Sequence, residues 1–384
     1  MSRGSVLIAG FSGRALAQSA RRAGYDPIVV DCFGDLDMRA AATSSACLPA
    51  RVAVGFSRTP LIQALERLAA DAPSPPIGLV LGAGFESNPQ LIAALGDRFT
   101  LLGNSADVVR RVKNPSDFFG ALVRLGIRHP ETQLTPPSRA EGWLMKRIGG
   151  SGGIHIQDCP ASVVPDARRY FQRRIGGDAI SVLGVASPRG TAFGMSRQWV
   201  NPRRRHPYRY GGAAGPLTLE EDLEARLIDC ALAVEREFRL NGLISLDFLV
   251  DDGEPSLIEV NARPGASLDV LDDSAGNLFR AHVSAFVGNE NPADLLQAGW
   301  HPPEAAASAY LYADRGQLTV PAIDWPAWAA DRPAAGSLIA KGQPIATVRV
   351  EAANADAAEQ LCREYLGRLE KMLYEGSPGE TPHS

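Results

Sequence analysis

The 384-residue chain has little cysteine, no pronounced net charge and no long apolar run, and each shortage excludes a class of protein. Its five cysteines are odd in number and scattered without a CxxC pair, so neither a disulfide framework nor a structural zinc site is expected. A net charge of −4 gives no reason to expect a nucleic-acid or membrane-surface partner. No segment reaches membrane-spanning length, and the cysteine usage fits a reducing, cytoplasmic location.

The chain does contain the pattern of a globular α/β protein with more than one domain. Hydrophobic residues make up 45% of it and charged residues 21%. Residues 5–103 alternate short apolar strands with amphipathic helices, which predicts a parallel sheet with helices on both faces. Gly10-x-x-Gly13, with Asp31 after the second strand, partly matches a dinucleotide-binding fingerprint; a purely structural tight turn is the alternative that we favour.

The most informative segment is an acidic hairpin predicted within residues 243–264. Runs of branched residues flank residues 252–254, which predicts two antiparallel strands joined by a three-residue loop. That register sets Asp247 opposite Glu259 and puts Asn261 on the same face. Facing carboxylates repel each other, so a cation is expected between them. Two carboxylates and an amide oxygen suit magnesium held together with phosphate.

The same register pairs Phe248 with Ile258 on the core face of the hairpin. Arg263 follows on the metal side and offers a guanidinium fork for phosphate or carboxylate. The alternative is a surface hairpin with solvated acids, but both strands are too apolar to be exposed on two faces.

Features of a phosphate site precede the hairpin. A glycine-rich segment at residues 149–153, between predicted strands, offers backbone N–H groups without side-chain obstruction. Lys113 lies in a helix predicted over residues 107–126, and Lys146 lies on the strand that enters the glycine-rich segment. A strand, predicted at residues 154–156, follows where a Walker loop needs a helix, so that motif is excluded. Phosphate, cations and magnesium together indicate phosphoryl transfer.

In this order the features resemble the ATP-grasp superfamily over residues 1 to about 300, most specifically in Asp247-Phe-Leu and Leu-Ile-Glu259-Val-Asn261-Ala-Arg263-Pro264. The resemblance implies an α/β ATP-grasp fold with a small β-rich C-terminal module. Its implied parts are a Rossmann-like domain at 1–103, an ATP-grasp domain at 104–298 with a lid subdomain at about 115–180, a C-terminal β-rich cap with a terminal helix at 299–373, and a disordered tail at 374–384.

The resemblance also implies roles for individual residues. Asp247, Glu259 and Asn261 would hold one or two magnesium ions, with manganese as a permitted substitute. Asn261 and Arg263 would act in catalysis, Arg263 by stabilising an acyl phosphate. ATP would be bound by Lys113, Lys146, Gly149, Gly150, Ser151, Gly152, Gly153, the adenine-hinge residues Phe171 and Gln172, and Asp178. The family often has a ribose-binding glutamate after the hinge, and Asp178 is the nearest acid to that place.

Four further residues are candidates for substrate contact. Arg203 and Arg205 lie in a basic segment that would clamp a carboxylate, with a solvated loop as the alternative. Arg197 precedes that segment on a predicted strand. Glu86 follows a glycine turn at the carboxyl end of a predicted parallel strand, where such folds bind ligands, and is a candidate for holding an ammonium group.

The subgroup that the chain resembles most is the small-molecule carboxylate–amine ligases, including amino-acid ligases of one-carbon coenzyme biosynthesis. The similarity lies in residues 82–86, 102–104 and 210–216. It implies an ATP-dependent carbon–nitrogen ligase that phosphorylates a carboxylate, joins it to an amine and releases ADP and phosphate. A phosphotransferase acting on a hydroxyl is the first alternative, followed by a nucleotide-binding regulatory protein and a dinucleotide-dependent oxidoreductase. A homodimer would be typical of relatives.

Overall fold

A computed structural model describes residues 2–51, 54–288, 290–299 and 302–375 of the chain. The elements of its N-terminal unit are β1 (Ser5–Ala9), α1 (Arg14–Arg22), β2 (Asp26–Asp31), α2 (Leu36–Ala41), β3 (Ser44–Cys47), β4 (Ala50–Arg51), β5 (Gly55–Phe56), α3 (Arg58–Ala70), β6 (Leu79–Leu81) and α4 (Pro89–Gly96). Four of the strands form a parallel sheet in the order β3-β2-β1-β6. All of β1 is buried, as expected of a strand covered on both faces. The predicted α/β class is confirmed.

The next elements form a small antiparallel sheet that carries the glycine-rich segment. They are α5 (Ala106–Lys113), α6 (Pro115–Leu125), β7 (Thr132–Gln133), β8 (Trp143–Arg147), β9 (Gln157–Asp158) and β10 (Arg169–Arg173). The strand order is β7-β10-β8-β9. The strand predicted at residues 154–156 is wrong, because those residues lie in the turn that leads into β9.

The helix predicted over residues 107–126 is two helices. Asn114 separates them with an extended backbone, because the residue before a proline avoids the helical conformation. Its side chain caps α6 by accepting hydrogen bonds from the backbone N–H groups of Ser116 and Asp117. The break makes Lys113 the last residue of α5, where its side chain can leave the helix.

An eight-stranded antiparallel sheet dominates the remainder of the chain. The remaining elements are β11 (Asp178–Ala186), β12 (Ala192–Val200), β13 (Tyr210–Gly215), α7 (Glu221–Phe238), β14 (Gly242–Asp251), β15 (Glu254–Asn261), α8 (Leu268–Leu271), α9 (Asn277–Val287), α10 (Pro292–Gly299), β16 (Ala306–Tyr312), β17 (Leu318–Thr319), β18 (Ala329–Ala330), β19 (Leu338–Ile339), β20 (Pro344–Glu351) and α11 (Ala355–Glu375). Eight of these strands form the sheet, in the order β15-β14-β11-β12-β13-β16-β20-β18. The C-terminal strands β16, β18 and β20 therefore continue the sheet that carries the hairpin.

The domain boundaries given above stay a prediction. The terminal helix α11 extends to Glu375, two residues into the predicted tail, and residues 376–384 lie outside the described residues. Within the described part of the chain, no helix is both long enough and apolar enough to cross a membrane.

The acidic hairpin, β14 and β15, has the predicted register at one end and a different one at its turn. Asp247 pairs with Glu259, as predicted. The turn contains two residues, Asp252 and Gly253, with φ of 49° and 74°, as in a type I′ turn, and not three. A bulge beside Asp247 accommodates the extra residue, so Phe248 pairs with Leu257 instead of with Ile258.

One apolar core supports the hairpin from behind. It contains Leu246 and Phe248 of β14, Phe118 of α6 and Leu7 of the N-terminal sheet. Because these side chains pack into a single cluster, the hairpin is held against both the helices that precede it and the N-terminal unit.

Candidate active site

The acidic hairpin brings the three predicted metal ligands to one face of the large sheet. Asn261 donates a hydrogen bond from Nδ2 to Asp247 Oδ2 at 3.1 Å, and Glu259 lies directly across from Asp247. Two residues of neighbouring strands complete this face: Ser181 donates to Asp247 Oδ1 at 2.7 Å, and Gln198 donates to the same oxygen at 3.2 Å. Sequence reasoning missed Ser181 and Gln198, because the order of strands in the sheet was not known.

The two carboxylates have different tendencies to hold a proton. Burial, followed by the negative charge of Glu259, raises the pKa of Asp247 to about 6. Burial also acts to raise the pKa of Glu259, but Lys113, His155 and Lys146 outweigh it and hold that pKa below its usual value. The two carboxylates repel each other while Lys113 and Lys146 offset their charge, so the net charge of this face depends on which cations are present.

The Lys113 ammonium lies between two of the predicted metal ligands. Its Nζ donates to Glu259 Oε1 at 2.5 Å and to Asn261 Oδ1 at 3.0 Å. The arrangement shows that these oxygens can converge on one cation, and two carboxylates with an amide oxygen fit magnesium. Among the described residues no three His, Cys, Asp or Glu side chains form a metal site, so an ion here would take its remaining ligands from water or phosphate.

The second predicted lysine, Lys146, is buried on β8 and donates to Gln172 Oε1 at 2.6 Å. Burial lowers the pKa of Lys146 to about 8, although the charge of Glu259 acts in the opposite direction. Phe171 is buried beside Gln172 on β10, in the small cluster beneath this sheet. Asp178, the candidate for ribose, is exposed at the start of β11.

The glycine loop, residues 149–153, passes between two other parts of the molecule. A Cβ on Gly149 would lie 2.6 Å from the carbonyl oxygen of Glu86, and a Cβ on Gly153 would lie 1.8 Å from that of Tyr208. Both glycines have positive φ, at 68° and 73°. Glycine is therefore required twice, for conformation and for close approach, and the loop is fitted against the turn after β6 and the segment before β13.

Arg263 and Glu86 meet, although they were predicted for separate tasks. Arg263 Nε donates to Glu86 Oε1 at 2.6 Å. Burial acts to raise the pKa of Glu86, but Arg263 and Lys113 lower it to about 2. The ionised carboxylate is thus committed to a cation of the chain and is not free for a substrate ammonium group.

Arg197 points away from the acidic face. Its guanidinium pairs with Asp356 and, at 2.8 Å, with Glu359, both on α11. The next residue, Gln198, contacts Asp247, and successive strand residues point to opposite faces. The structure therefore does not bring Arg197 to the other predicted site residues.

The basic segment before β13 is fastened to the C-terminal part of the chain. Arg203 lies 2.5 Å from Asp314, and the buried Arg209 makes two hydrogen bonds to the same carboxylate at 3.1 and 2.8 Å. Arg209 also stacks 3.7 Å over the Tyr312 ring. Arg205 is exposed. These contacts do not bring Arg203 to the acidic face, and Arg209 was not singled out from the sequence.

The first turn of the chain has the contacts of a structural turn. Asp31 accepts hydrogen bonds from the backbone N–H groups of Gly13 at 3.2 Å and Gly34 at 2.9 Å. A Cβ on Gly13 would lie 2.4 Å from Val29 Cγ1, so this glycine is needed for close packing of α1 on the sheet. Both oxygens of Asp31 are used within the chain, which favours the structural alternative over a dinucleotide site.

Comparison with known proteins relates the part of the chain that forms this site to a known domain family. Residues 112–267 match the family model of the ATP-grasp domain, and this stretch includes the acidic hairpin, the glycine loop and both lysines. Residues 112–267 of the chain are therefore similar to an ATP-grasp domain. A relative of this chain, an uncharacterized protein of Methanocaldococcus jannaschii, is 21% identical over 360 residues, which cover 89% of this chain and 87% of the relative.

Two solved structures are similar to this chain over nearly its whole length. N5-carboxyaminoimidazole synthetase from Staphylococcus aureus, complexed with ADP, has a TM-score of 0.65 at 13% identity, covering 95% of this chain and 97% of that one. The biotin carboxylase domain dimer of Hydrogenobacter thermophilus 2-oxoglutarate carboxylase, in complex with MgADP, ADP and bicarbonate, has a TM-score of 0.68 at 11% identity, covering 93% and 88%. At these identities the similarity establishes the fold, and the predicted ATP-grasp fold is confirmed.

Proposed function

We propose that this ATP-grasp protein is an ADP-forming carbon–nitrogen ligase that joins a small carboxylate to an amine through an acyl phosphate. One observation carries the proposal: Asp247, Glu259 and Asn261 converge on one face together with the ammonium of Lys113. Such a set of hard oxygen donors beside a cation suits transfer of a phosphoryl group, where catalysis depends on positioning and charge neutralisation.

Each part of the site has a task in this reaction. Asp247, Glu259 and Asn261 would hold magnesium, which neutralises charge on the phosphates when it is bound. Lys113 and Lys146 would contact the phosphates, and the glycine loop would cover them and exclude water. Arg263 would bind the acyl phosphate through N–H groups that Glu86 leaves open. The amine then displaces phosphate and forms the amide, with no covalent enzyme intermediate.

The solved structures support the choice of cofactors. One similar protein holds ADP and another holds MgADP with bicarbonate, so ATP with magnesium is the cofactor pair that we propose for this chain. Manganese is proposed as a substitute. The likeness of residues 82–86 and 210–216 to amino-acid ligases supports an amino acid as one substrate, and the neighbouring domain dimer supports a homodimer.

The test is a product assay with purified protein, ATP, magnesium and a pooled library of carboxylates and amines, with products identified by mass spectrometry. We expect ADP, free phosphate and a new amide. Asp247→Asn and Glu259→Gln should each abolish turnover with an unchanged circular dichroism spectrum. Asp251→Asn, an exposed acid of the same strand, is the matched control and should retain activity.

Other products would contradict the proposal. A phosphorylated product with ADP and no free phosphate would identify a phosphotransferase. Release of AMP would exclude an acyl phosphate, and full activity of Asp247→Asn would refute the metal assignment.

A further inference from the structure

A buried ion pair joins the N-terminal unit to the segment that follows the acidic hairpin. Its members, Arg263 and Glu86, are separated by 177 positions in the sequence. The side chain of Glu86 is 5% exposed and that of Arg263 is 15% exposed. Two charges are removed from water only at a considerable cost unless their partners are complete, so the remaining contacts of each group indicate what the pair is for.

The contacts of Glu86 fill both of its oxygens. Oε1 accepts from Arg263 Nε, and Oε2 accepts from the backbone N–H groups of Gly84 at 2.9 Å and Phe85 at 3.0 Å. The carboxylate is therefore fixed to the turn after β6, at the carboxyl end of a parallel strand. It has a rigid support on one side and holds the arginine on the other.

The contacts of Arg263 leave part of its guanidinium open. Nε is bound by Glu86, and Nη1 donates to the carbonyl oxygen of Pro264 at 3.0 Å. Two anchors fix the plane of this rigid group, while Nη2 makes no hydrogen bond within the described part of the chain. Burial acts to lower the pKa of Arg263, but the charge of Glu86, followed by those of Glu259 and Asp247, raises it, so the guanidinium lies within electrostatic reach of the acidic face.

From these contacts we infer that Glu86 is a positioning residue for Arg263: it fixes the guanidinium so that its open N–H groups face the hairpin and receive the anionic group of the reaction. This inference rests on the proposed ligase function and replaces the expectation that Glu86 holds a substrate ammonium group. The same turn bounds the glycine loop, since Gly149 packs against the Glu86 carbonyl. Through Glu86, the N-terminal unit thus takes part in forming the site.

Glu86→Gln is a sharp test, because it keeps the volume of the side chain and changes only its hydrogen bonding. Glu86 accepts with both oxygens, so a glutamine amide must direct an N–H group either at Arg263 or at the N–H groups of Gly84 and Phe85. We expect kcat to fall about 100-fold, the scale of a misplaced catalytic group, with KM for the amine changed less than about 2-fold. Glu86→Asp, which keeps the charge, should recover part of the lost kcat.

The matched control is Glu66→Gln, which removes an exposed acid paired with Arg98 in the same unit and should change neither constant. A rise in KM for the amine with kcat retained would overturn the inference, because it would identify Glu86 as a substrate contact. Parent-like kinetics of Glu86→Gln would overturn it as well.

A second measurement does not depend on ligase activity. Crystal structures of the ligand-free parent and of Glu86→Gln should show the Arg263 guanidinium ordered against Glu86 in the parent and displaced in the variant. An unchanged Arg263 position would refute the inference even if the protein proved to have another activity. Conversely, a parent protein that fails to bind a non-hydrolysable ATP analogue with magnesium would refute the proposed function, while the position of Arg263 remained measurable. If Glu86→Gln does not fold, Glu86→Asp takes its place in both measurements.

Discussion

Replacing Lys113 with methionine should destabilise the ligand-free protein and increase the stabilising effect of magnesium. Methionine retains an unbranched apolar stem but removes the ammonium that Glu259 and Asn261 bind. Loss of one partner from a buried ion pair costs about 3–5 kcal/mol, and exposed pairs contribute only about 0–1 kcal/mol. The Lys113 side chain is 7% exposed but that of Glu259 is 31% exposed. We therefore expect a loss between these limits, about 2 kcal/mol in the free energy of unfolding.

The assay is urea denaturation with and without magnesium, in the absence of nucleotide. Magnesium has to displace the Lys113 ammonium in the parent but not in the variant, so it should raise the free energy of unfolding more in Lys113→Met. At a concentration 100 times the dissociation constant, a bound ion contributes about 2.7 kcal/mol, which would offset the mutation. Lys341→Met, at an exposed lysine, is the control. Equal magnesium increments in parent and variant would refute the assignment of Lys113 as a competitor of the metal.

Two other perturbations test the lid and the core. Gly153→Ala should weaken ATP binding about 10-fold or more, because its Cβ would lie 1.8 Å from the Tyr208 oxygen. Gly152→Ala is the control: Gly152 has a similar φ of 67° but a Cβ there would have nothing within 4 Å, so the variant should lose only about 1 kcal/mol through backbone strain. Calorimetric titration with ATP compares the affinities of the two variants. Burial lowers the pKa of His282 to about 4, and its Nδ1 accepts the Leu243 N–H at 2.8 Å. An unfolded histidine has a pKa of about 6.5, so between pH 6.5 and 4 the unfolded state binds more protons than the folded state. Lowering the pH from 7 to 5 should therefore reduce the free energy of unfolding by about 2 kcal/mol. Urea denaturation measures this loss, and His282→Gln should remove it.

The hairpin register was predictable because it depends on local rules. Strand alternation and a short polar turn set Asp247 opposite Glu259, and the structure has this pairing. The turn length was not predictable from the same rules, since a two-residue turn with a bulge and a three-residue loop without one give the same register at Asp247. The two turns differ in the pairing on the core face, where Phe248 is opposite Leu257 in the structure, so packing of that face decides between them.

Contacts made by distant parts of the chain could not be predicted. Ser181 and Gln198 reach Asp247 because β11 lies next to β14 and β12 lies next to β11, an order that no local pattern encodes. Arg203 was a reasonable candidate for a substrate carboxylate, but its partner is Asp314, a residue 111 positions away in the sequence. Strand alternation on β12 could have predicted that Arg197 points away from the site, but only if it had been known that Gln198 faces Asp247.

The cations of the site are already bound to acceptors of the chain, and this determines how a nucleotide can enter. Lys113 lies 2.5 Å from Glu259, Lys146 2.6 Å from Gln172, and Arg263 2.6 Å from Glu86. Phosphate alone would have to draw Lys113 away from Glu259 and leave that carboxylate opposite Asp247 without compensation. Magnesium alone would have to displace the same ammonium without giving it a new partner.

When magnesium and the nucleotide phosphates bind together, every charged group keeps a partner, because the metal binds the carboxylates while the phosphates bind Lys113. Lys146 would exchange only the neutral amide of Gln172 for a phosphate, and Arg263 would stay bound to Glu86 while its Nη2 binds the anionic group. We therefore expect magnesium and nucleotide to bind with strong positive coupling, each raising the affinity for the other by the same factor. Calorimetric titration of each in the presence and absence of the other measures that factor. In Lys113→Met the coupling should shrink, because the exchange that links the two ligands is gone; a coupling equal to that of the parent would show that the linkage has another origin.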